Sequence, residues 1–327
     1  MQVAVTGAAG HVGATLVRAL LARGDQVRVL VHADTRGIAG LPVEHCQGNI
    51  TDPAAVLRLA QGMERVYHLA AKVSIDPRER AELHRVNVGG TQCVVDACRL
   101  AGVGRLVHVS SIHALASHPR HQPITESRAF ATGRGLPGYD ASKVAAERVV
   151  QAAVASGLDA VVLNPTAILG PYDYRPSHLG EVLLNLYHQR LPGLVAGGFD
   201  WVDVRDVAAG ILAAADHAPA GSRYLLGGQR ATVVELACLV AQVTGRPAPW
   251  LVTPMWLARA VAPGAEWAAR LAGRRPLFTP ESLYALRNHL EISSARARQE
   301  LGYAPRALET TVRDTFKWFR ETGMLEP

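Results

Sequence analysis

Residues 135–143 read Gly-Leu-Pro-Gly-Tyr-Asp-Ala-Ser-Lys. The glycines and proline punctuate a loop, and the Ala-, Glu- and Val-rich run behind them predicts a helix opening near Tyr139. On that helix Tyr139 and Lys143 stand at i and i+4, about one turn apart on one face. A phenol of pKa about 10 is a poor acid or base at neutral pH. A neighbouring ammonium favours the phenolate, which makes the pair a candidate proton-transfer device. The chain has eight tyrosines but three lysines, Lys72, Lys143 and Lys317, so this spacing is expected by chance only about 0.07 times. The competing reading is a surface pair on a helix.

The elements that would position such a pair come earlier in the chain. Gln2 to Thr6 is β-rich and runs into Gly7, Ala8, Ala9, Gly10, His11, Val12 and Gly13. An apolar-periodic helix to Leu21 ends at Gly24, and Gln26 to Val31 is a second strand. In such a βαβ unit the glycines let backbone N–H groups approach a pyrophosphate at the helix N-terminus. The spacing is Gly-xx-Gly-xx-Gly rather than the commoner Gly-x-Gly-xx-Gly, and a tight turn is the alternative. Further strands are predicted at Val43 to Cys46, Arg65 to Leu69, Arg105 to Ser110 and Ala160 to Leu163. Helices open at Asp52-Pro53 and span about Glu79 to Ala101.

This alternation predicts an α/β fold, a doubly wound parallel sheet that binds ligands beyond the carboxyl ends of its strands. The glycine loop, Ala70-Ala71, Ser110-Ser111 and Asn164-Pro165 all follow strands and so converge on that edge. After Pro165 the pattern loosens. A turn-rich loop at 170–176 leads to an amphipathic segment, Leu179 to Gln189, and 193–201 reads as a Gly/aromatic loop. A helix from Val204 to Ala215 returns to the sheet, with a short strand at Tyr224 to Leu226. Further helices are expected near Thr232–Thr244, Pro254–Gly273, Pro280–Leu286, Ser294–Leu301 and Leu308–Gly323. The expected organisation is a dinucleotide-binding domain of residues 1–165 plus about 201–226. A smaller, mainly helical substrate-binding part takes about 166–200 plus 227–327.

Composition narrows the function classes. The net charge is +6, but 31 of the 34 cations are arginines, scattered without a basic run or interleaved aromatics, which argues against nucleic acid and suits an anionic cofactor or substrate. Cys46, Cys93, Cys98 and Cys238 form no Cys-xx-Cys pair or Cys/His cluster, so no metal site is expected and the cysteines read as small hydrophobes in a reducing compartment. The chain opens directly into a strand and has no apolar run of membrane-spanning length, so a cytoplasmic protein is expected. Residues 255–271, including Trp256, Arg259, Trp267 and Arg270, could cover a lipophilic substrate as a lid or touch a membrane surface. Pro263-Gly264 breaks that segment and favours the lid.

With these motifs in place the chain resembles an extended short-chain dehydrogenase/reductase, over residues 1 to about 210 and more loosely to the end. Residues 6–13 are similar to that family's cofactor loop, His68-Leu69-Ala70-Ala71 to its fourth-strand motif and Asn87-Val88-Gly89-Gly90-Thr91 to its next helix. Val109-Ser110-Ser111 is similar to its catalytic-serine strand, Tyr139 and Lys143 to its active pair, and Asn164-Pro165-Thr166 and residues 202–208 to its later segments. The resemblance implies hydride transfer between a nicotinamide and a carbonyl or secondary alcohol, with Tyr139 as acid or base. It implies that Lys143 holds the phenol pKa down and bonds the nicotinamide ribose, and that a serine hydroxyl holds the reacting oxygen. Ser111, the second of its pair, matches the family residue, with Ser110 as runner-up. Asn87 is expected to fix backbone near the site rather than perform chemistry. Gly7, Ala9, Gly10, His11, Val12, Gly13, Leu69, Ala70, Ala71, Pro165 and Thr166 join the implied cofactor contacts.

The end of the second strand addresses NADP against NAD. Val31 stands where NAD-type members carry an acid for the ribose 2′-OH. His32 stands where dihydroflavonol-type reductases carry an arginine for the 2′-phosphate, Arg36 is close by, and Asp34 falls too late to be the usual acid. NADP is therefore preferred over NAD, although His32 and Arg36 could equally be solvated loop residues. Asn49-Ile50 resembles the family's adenine-side Asp-Leu/Ile with Asn for Asp. His113, Tyr172, Tyr174, His178, Phe199 and Trp201 are candidates for lining a substrate pocket, against the alternative that they pack.

Within the superfamily the chain looks closest to the branch of dihydroflavonol reductases and 3β-hydroxysteroid dehydrogenases. Ile112-His113 replaces the Asp-Glu that sugar dehydratases carry after the catalytic hydroxyl. Ala114-Leu115-Ala116 replaces the Tyr-Gly continuation of nucleotide-sugar epimerases. The expectation is a reductase or dehydrogenase of a bulky, ring-bearing small molecule. Alternatives are a nucleotide-sugar epimerase with the same trio or a non-catalytic NAD(P)-binding module. Family members are often dimers, which makes a homodimer an expected assembly.

Overall fold

A computed structural model describes residues 1–133, 135–191, 193–260, 264, 283–284, 286 and 291–325. Its centre is a seven-stranded sheet of β1 (Gln2–Thr6), β2 (Gln26–Val31), β3 (Glu44–Gln47), β4 (Arg65–His68), β5 (Arg105–Val109), β6 (Ala160–Pro165) and β10 (Arg223–Leu226). The strand order is β10-β6-β5-β4-β1-β2-β3 and every pairing is parallel. The chain reverses direction across the sheet between β1 and β4, where a doubly wound sheet opens a crevice at its carboxyl edge.

Both faces of the sheet are covered over its inner strands, which is why β1, β5 and β6 are mostly apolar rather than alternating. Val3 and Val5 face Leu16 and Leu20 of α1 (His11–Ala22) and Ile211 of α7 (Val204–His217). Ala4, one residue out of phase, packs in the opposite layer with Leu59 of α2 (Pro53–Ala60), Val94 of α4 (Gly90–Ala101) and Val150 of α5 (Gly138–Ala155). Each fully buried leucine contributes roughly 2 kcal/mol. α2 opens as its sequence predicts, with Asp52 accepting the Ala54 N–H at 3.0 Å and Pro53 in the first turn.

Three expectations need correction. The third strand runs one residue later than predicted, at Glu44–Gln47. The long helix after β4 is not uniform: α3 (Arg80–Leu83) passes through a π-helical stretch, His84–Gly89, before α4. The wider turn brings Asn87 inward, where its amide is bonded to the backbone before it. The segment 193–201, read as a loop, instead forms β8 (Leu194–Val195) and part of β9 (Gly198–Asp203). β9 pairs with β7 (Ala167–Leu169) and β11 (Gln229–Thr232) in a second sheet, so the expected mainly helical part also contains strands. A Cβ on Gly198 would lie 2.4 Å from the Ala231 carbonyl oxygen, so the glycine that made the segment look like a loop is what lets the strands close.

Around this sheet pack α6 (His178–Tyr187), α8 (Val233–Thr244) and the helix Leu308–Glu321, with Leu186, Leu236, Phe316 and Phe319 in one cluster. α8 begins with a reciprocal cap between Thr232 and Glu235. Of the 255–271 segment, residues 255–260 are helical and Trp256 is 71% exposed. The rest of that segment, and most of the helix expected at Pro280–Leu286, lies outside the described residues. Among the described residues no helix is long and apolar enough to cross a membrane, and no group of three His, Cys, Asp or Glu could hold a metal.

Candidate active site

The glycine loop forms a cradle at the crevice. Gly7 takes φ +72°, and a Cβ there would lie 2.7 Å from the Ala70 nitrogen. A Cβ on Gly13 would lie 2.1 Å from the Gly7 carbonyl oxygen, so only glycine lets α1 start this close to β1. The cap residue Gly10 offers no side chain and the first turn holds no acid, which leaves the helix N-terminus suited to an anion. Thr6 ties the two strand ends together: its hydroxyl accepts from the Leu69 and Ala70 N–H groups at 3.2 Å each and meets His68 Nδ1 at 2.8 Å. His68 is bonded on its other side to the Thr91 hydroxyl at 3.0 Å, and burial pushes its pKa down to about 3, keeping it neutral. These residues fit a dinucleotide pyrophosphate at the β1–β4 crevice.

Along the same edge β5 ends at Val109, Ser110-Ser111 follow it, and α5 begins one residue before Tyr139. Ser111 is 7% exposed; its hydroxyl accepts the His113 N–H at 3.2 Å and caps a short turn, Ile112–Ala114. Lys143 is 5% exposed, donates to the Val109 carbonyl at 3.3 Å and lies 5.9 Å from the Tyr139 ring centre. Burial pushes the Tyr139 phenol up to about 12, with the Ser111 side chain pulling the other way and the Asp140 charge adding to the rise. Burial also brings Lys143 down to about 8, against the pull of Glu147. The expected lowering of the Tyr139 pKa by Lys143 is thus not what this geometry gives. For both groups, leaving water is the largest cause of the shift.

Behind this trio lies a network that the motifs did not reveal. Glu147, fully buried one turn beyond Lys143, accepts from Arg223 Nε at 2.6 Å and Asn164 Nδ2 at 2.9 Å. Asn164 Nδ2 also donates to the Ser111 carbonyl at 2.9 Å, so β10, α5 and β6 together fix the strand end that carries Ser111. Glu147 repeats the four-residue step from Tyr139 to Lys143, the one signal in the sequence that could have marked it. Asn87 accepts the Lys72 N–H at 2.7 Å and donates to the Lys72 carbonyl at 3.0 Å and the Ser142 hydroxyl at 2.9 Å. It joins the backbone of the loop after β4 to the Ser142 side chain on α5.

The remaining candidates divide. His113 joins the trio: its Nδ1 lies 3.1 Å from Asp140 Oδ1 and its ring meets Tyr139 edge-on at 5.8 Å. The Tyr172 and Tyr174 rings lie under the Arg18 guanidinium of α1 and meet Trp318 edge-on, with Arg18 donating to the Tyr174 hydroxyl at 2.8 Å. Trp201 is 2% exposed, bonds the Ala231 carbonyl through Nε1 and packs with Phe199 in the hydrophobic cluster of the second sheet. His178 stands exposed at the start of α6. A tyrosine or tryptophan near glycines has the same sequence signature whether it lines a pocket or fills a core, and Trp201 fills a core.

Several cofactor candidates are likewise engaged with protein. His11 Nε2 meets the Pro171 carbonyl at 3.0 Å, and Val12 packs against the core under α1. The Ala9 carbonyl backs onto Gly37, where a Cβ would come within 2.5 Å of it. Asn49 Oδ1 accepts from the Thr51 N–H and hydroxyl, both at 3.0 Å, and Ile50 packs against Gly90. Leu69, Ala70 and Ala71 follow β4, and Pro165 closes β6. The Thr166 hydroxyl donates to Asp200 Oδ1 at 2.8 Å. His32 is exposed, and Arg36 is held by Asp34 through two bonds, Nε–Oδ1 at 3.0 Å and Nη2–Oδ2 at 2.6 Å.

Known proteins share both sequence and architecture with this chain. The profile of the NAD dependent epimerase/dehydratase family matches residues 3–227. "Sterol demethylase protein B" of Methylococcus capsulatus is 38% identical over 99% of this chain and 100% of its own length. A "putative dihydroflavonol 4-reductase" of Synechocystis is 32% identical over 98% of this chain and 95% of its own. The crystal structure of gox2253 superposes with a TM-score of 0.87 at 31% identity, covering 99% of each chain. The chain therefore belongs to the NAD dependent epimerase/dehydratase family and is an NAD(P)-dependent enzyme of the extended short-chain dehydrogenase/reductase type.

Proposed function

We propose that this enzyme transfers a hydride between a nicotinamide and the carbonyl or secondary alcohol of a bulky, ring-bearing small molecule. The observation that carries the reading is that Ser111 and Lys143 both lie against Tyr139, on the sheet edge that also carries the glycine loop. The bound cofactor supplies or accepts the hydride. Ser111 hydrogen-bonds the reacting oxygen, and Tyr139 gives it a proton in reduction or removes one in oxidation. A phenol pushed up to about 12 rests protonated at neutral pH, which suits the donor role. Lys143 donates to the nicotinamide ribose and holds positive charge under the site when a phenolate forms. The ring-bearing substrate is supported by relatives whose names refer to sterols and dihydroflavonols.

In this reading NADP is preferred over NAD, on the apolar Val31, on His32 and on the cation Arg36. Asp34, which already occupies Arg36, keeps the preference small. The family profile favours one second reading, nucleotide-sugar epimerisation by transient oxidation with the same trio. A non-catalytic module has no need of a buried proton-transfer pair. The test follows NADPH absorbance with a panel of ketones and aldehydes and product analysis of UDP-sugars incubated with cofactor, comparing wild type with Tyr139→Phe. Reduction of a ring ketone by wild type is expected. NADPH binding with no turnover of any panel member would overturn the reading, conversion of UDP-sugars alone would select the epimerase, and unchanged turnover in the variant would remove Tyr139 from the mechanism.

A further inference from the structure

Beside the trio stands a second acid–base arrangement that hydride transfer does not require. His113 follows Ser111 by two residues, and Asp140 follows Tyr139 by one, so their contact at 3.1 Å pins the β5 end to the start of α5. Asp140 is buried and takes the Nδ1 side of the ring, which makes Nδ1 the protonated nitrogen and leaves Nε2 with its lone pair. Among the described residues none hydrogen-bonds Nε2, and the His113 side chain is 32% exposed beside Tyr139. A histidine oriented by a buried carboxylate through one nitrogen and open at the other has the geometry of a general base. The Asp140 hydrogen bond and charge also raise the His113 pKa, against the opposing effects of burial and of the Lys143 charge.

We propose that His113, oriented by Asp140, is a second catalytic base that removes and returns a proton at the carbon adjacent to the substrate carbonyl. The inference rests on the carbonyl chemistry proposed above. In the step, the C–H electron pair becomes a C=C bond and the carbonyl π pair moves onto the oxygen held by Ser111 and Tyr139. The proton goes to His113 Nε2. Return of a proton to the same carbon restores the ketone, so the step needs no oxidant or reductant and exchanges the α-hydrogen with solvent. A pair that merely anchors the loop would hold the fold and leave α-hydrogens alone.

The experiment incubates the full chain with NADP+ and a panel of ring ketones in D2O and follows loss of the α-proton signal by NMR. NADPH-dependent reduction of the same ketones is measured in parallel. Wild type is expected to exchange α-hydrogens at least about 100-fold faster than buffer. His113→Asn should lose exchange at least about tenfold more than it loses reduction, and Asp140→Asn should lower the same ratio less steeply. If His113→Asn does not fold, His113→Gln and Asp140→Asn carry the same comparison. Reduction without exchange, or an exchange-to-reduction ratio unchanged in the variants, overturns the proposal and leaves the reductase reading standing. Exchange without reduction of any ketone does the reverse. Absence of both overturns both.

Discussion

At the β5–β6 end of the sheet edge, Ser111, Lys143, Glu147 and Asn164 are all buried, and bonds running between strands and helix fix them. At the β2 end, His32 and Arg36 stand in solvent, and the partner of Arg36 is Asp34, two residues away in the same loop. One end is over-determined by the fold. The other is a local arrangement that could change without disturbing the sheet. Buried groups lose heavily when a partner is removed, whereas an exposed ion pair is worth roughly 0–1 kcal/mol. Substitutions should therefore separate the two ends by the size and kind of effect.

The largest effect is expected from Tyr139→Phe, which keeps the ring packing and removes the proton. Steady-state turnover of an accepted ketone should fall by about 10³-fold or more, with unchanged thermal stability. A fall of less than about tenfold would place the proton elsewhere. Glu147→Ala follows, and its effect falls on the fold. It strands the Arg223 guanidinium and half of the Asn164 amide in a buried setting, so a loss of about 3–5 kcal/mol in denaturant unfolding is expected. A loss under about 1 kcal/mol would mean that the network is not what fixes Ser111.

This contrast also explains what the sequence could reveal. The strand alternation, the glycine loop and the Tyr139–Lys143 step are local patterns with a fixed period, so they were legible together with the sheet they imply. Glu147 and Arg223 were not, because their pairing joins α5 to β10 across 76 residues and each alone resembles a surface charge. Nor was the sign of the Tyr139 shift. Spacing placed Lys143 near the phenol, but burial, which only tertiary packing sets, is the largest cause of the shift. The core position of Trp201 was hidden for the same reason: it differs from a pocket residue only in what closes over it.

A third prediction concerns pH. Lys143 is brought from its ordinary 10.5 to about 8 by burial, so between those values the unfolded chain holds more protons than the folded one. Stability then rises with pH across that window, and the buried charge opposes folding below it. Tyr139, raised from 10 to about 12, reverses the slope above about pH 10. Lys143→Met should therefore lose activity yet melt higher than wild type at pH 7, and the gap should shrink by pH 9.5. Parallel melting curves at the two pH values would show instead that Lys143 titrates as an exposed lysine.

The smallest effects belong to the β2 end, where opposite signs make them readable. Arg36 reaches Asp34 with both arms of its guanidinium, and that pairing holds the Asp34 carboxyl down at about 2, so the loop carries a compensated pair at any working pH. A 2′-phosphate would have to share Arg36 with Asp34, whereas a ribose hydroxyl would find a carboxylate already occupied. Removing Asp34 frees the cation, and Asp34→Ala should raise the NADPH-over-NADH affinity ratio by about threefold to tenfold. Arg36→Ala should lower it by a similar factor, and both shifts should shrink in high salt because the groups are exposed. Fluorescence titration of the two cofactors against wild type and both variants measures this directly. Tighter binding of NADH by wild type, or two variants that move the ratio in the same direction, would mean that this loop does not select the cofactor.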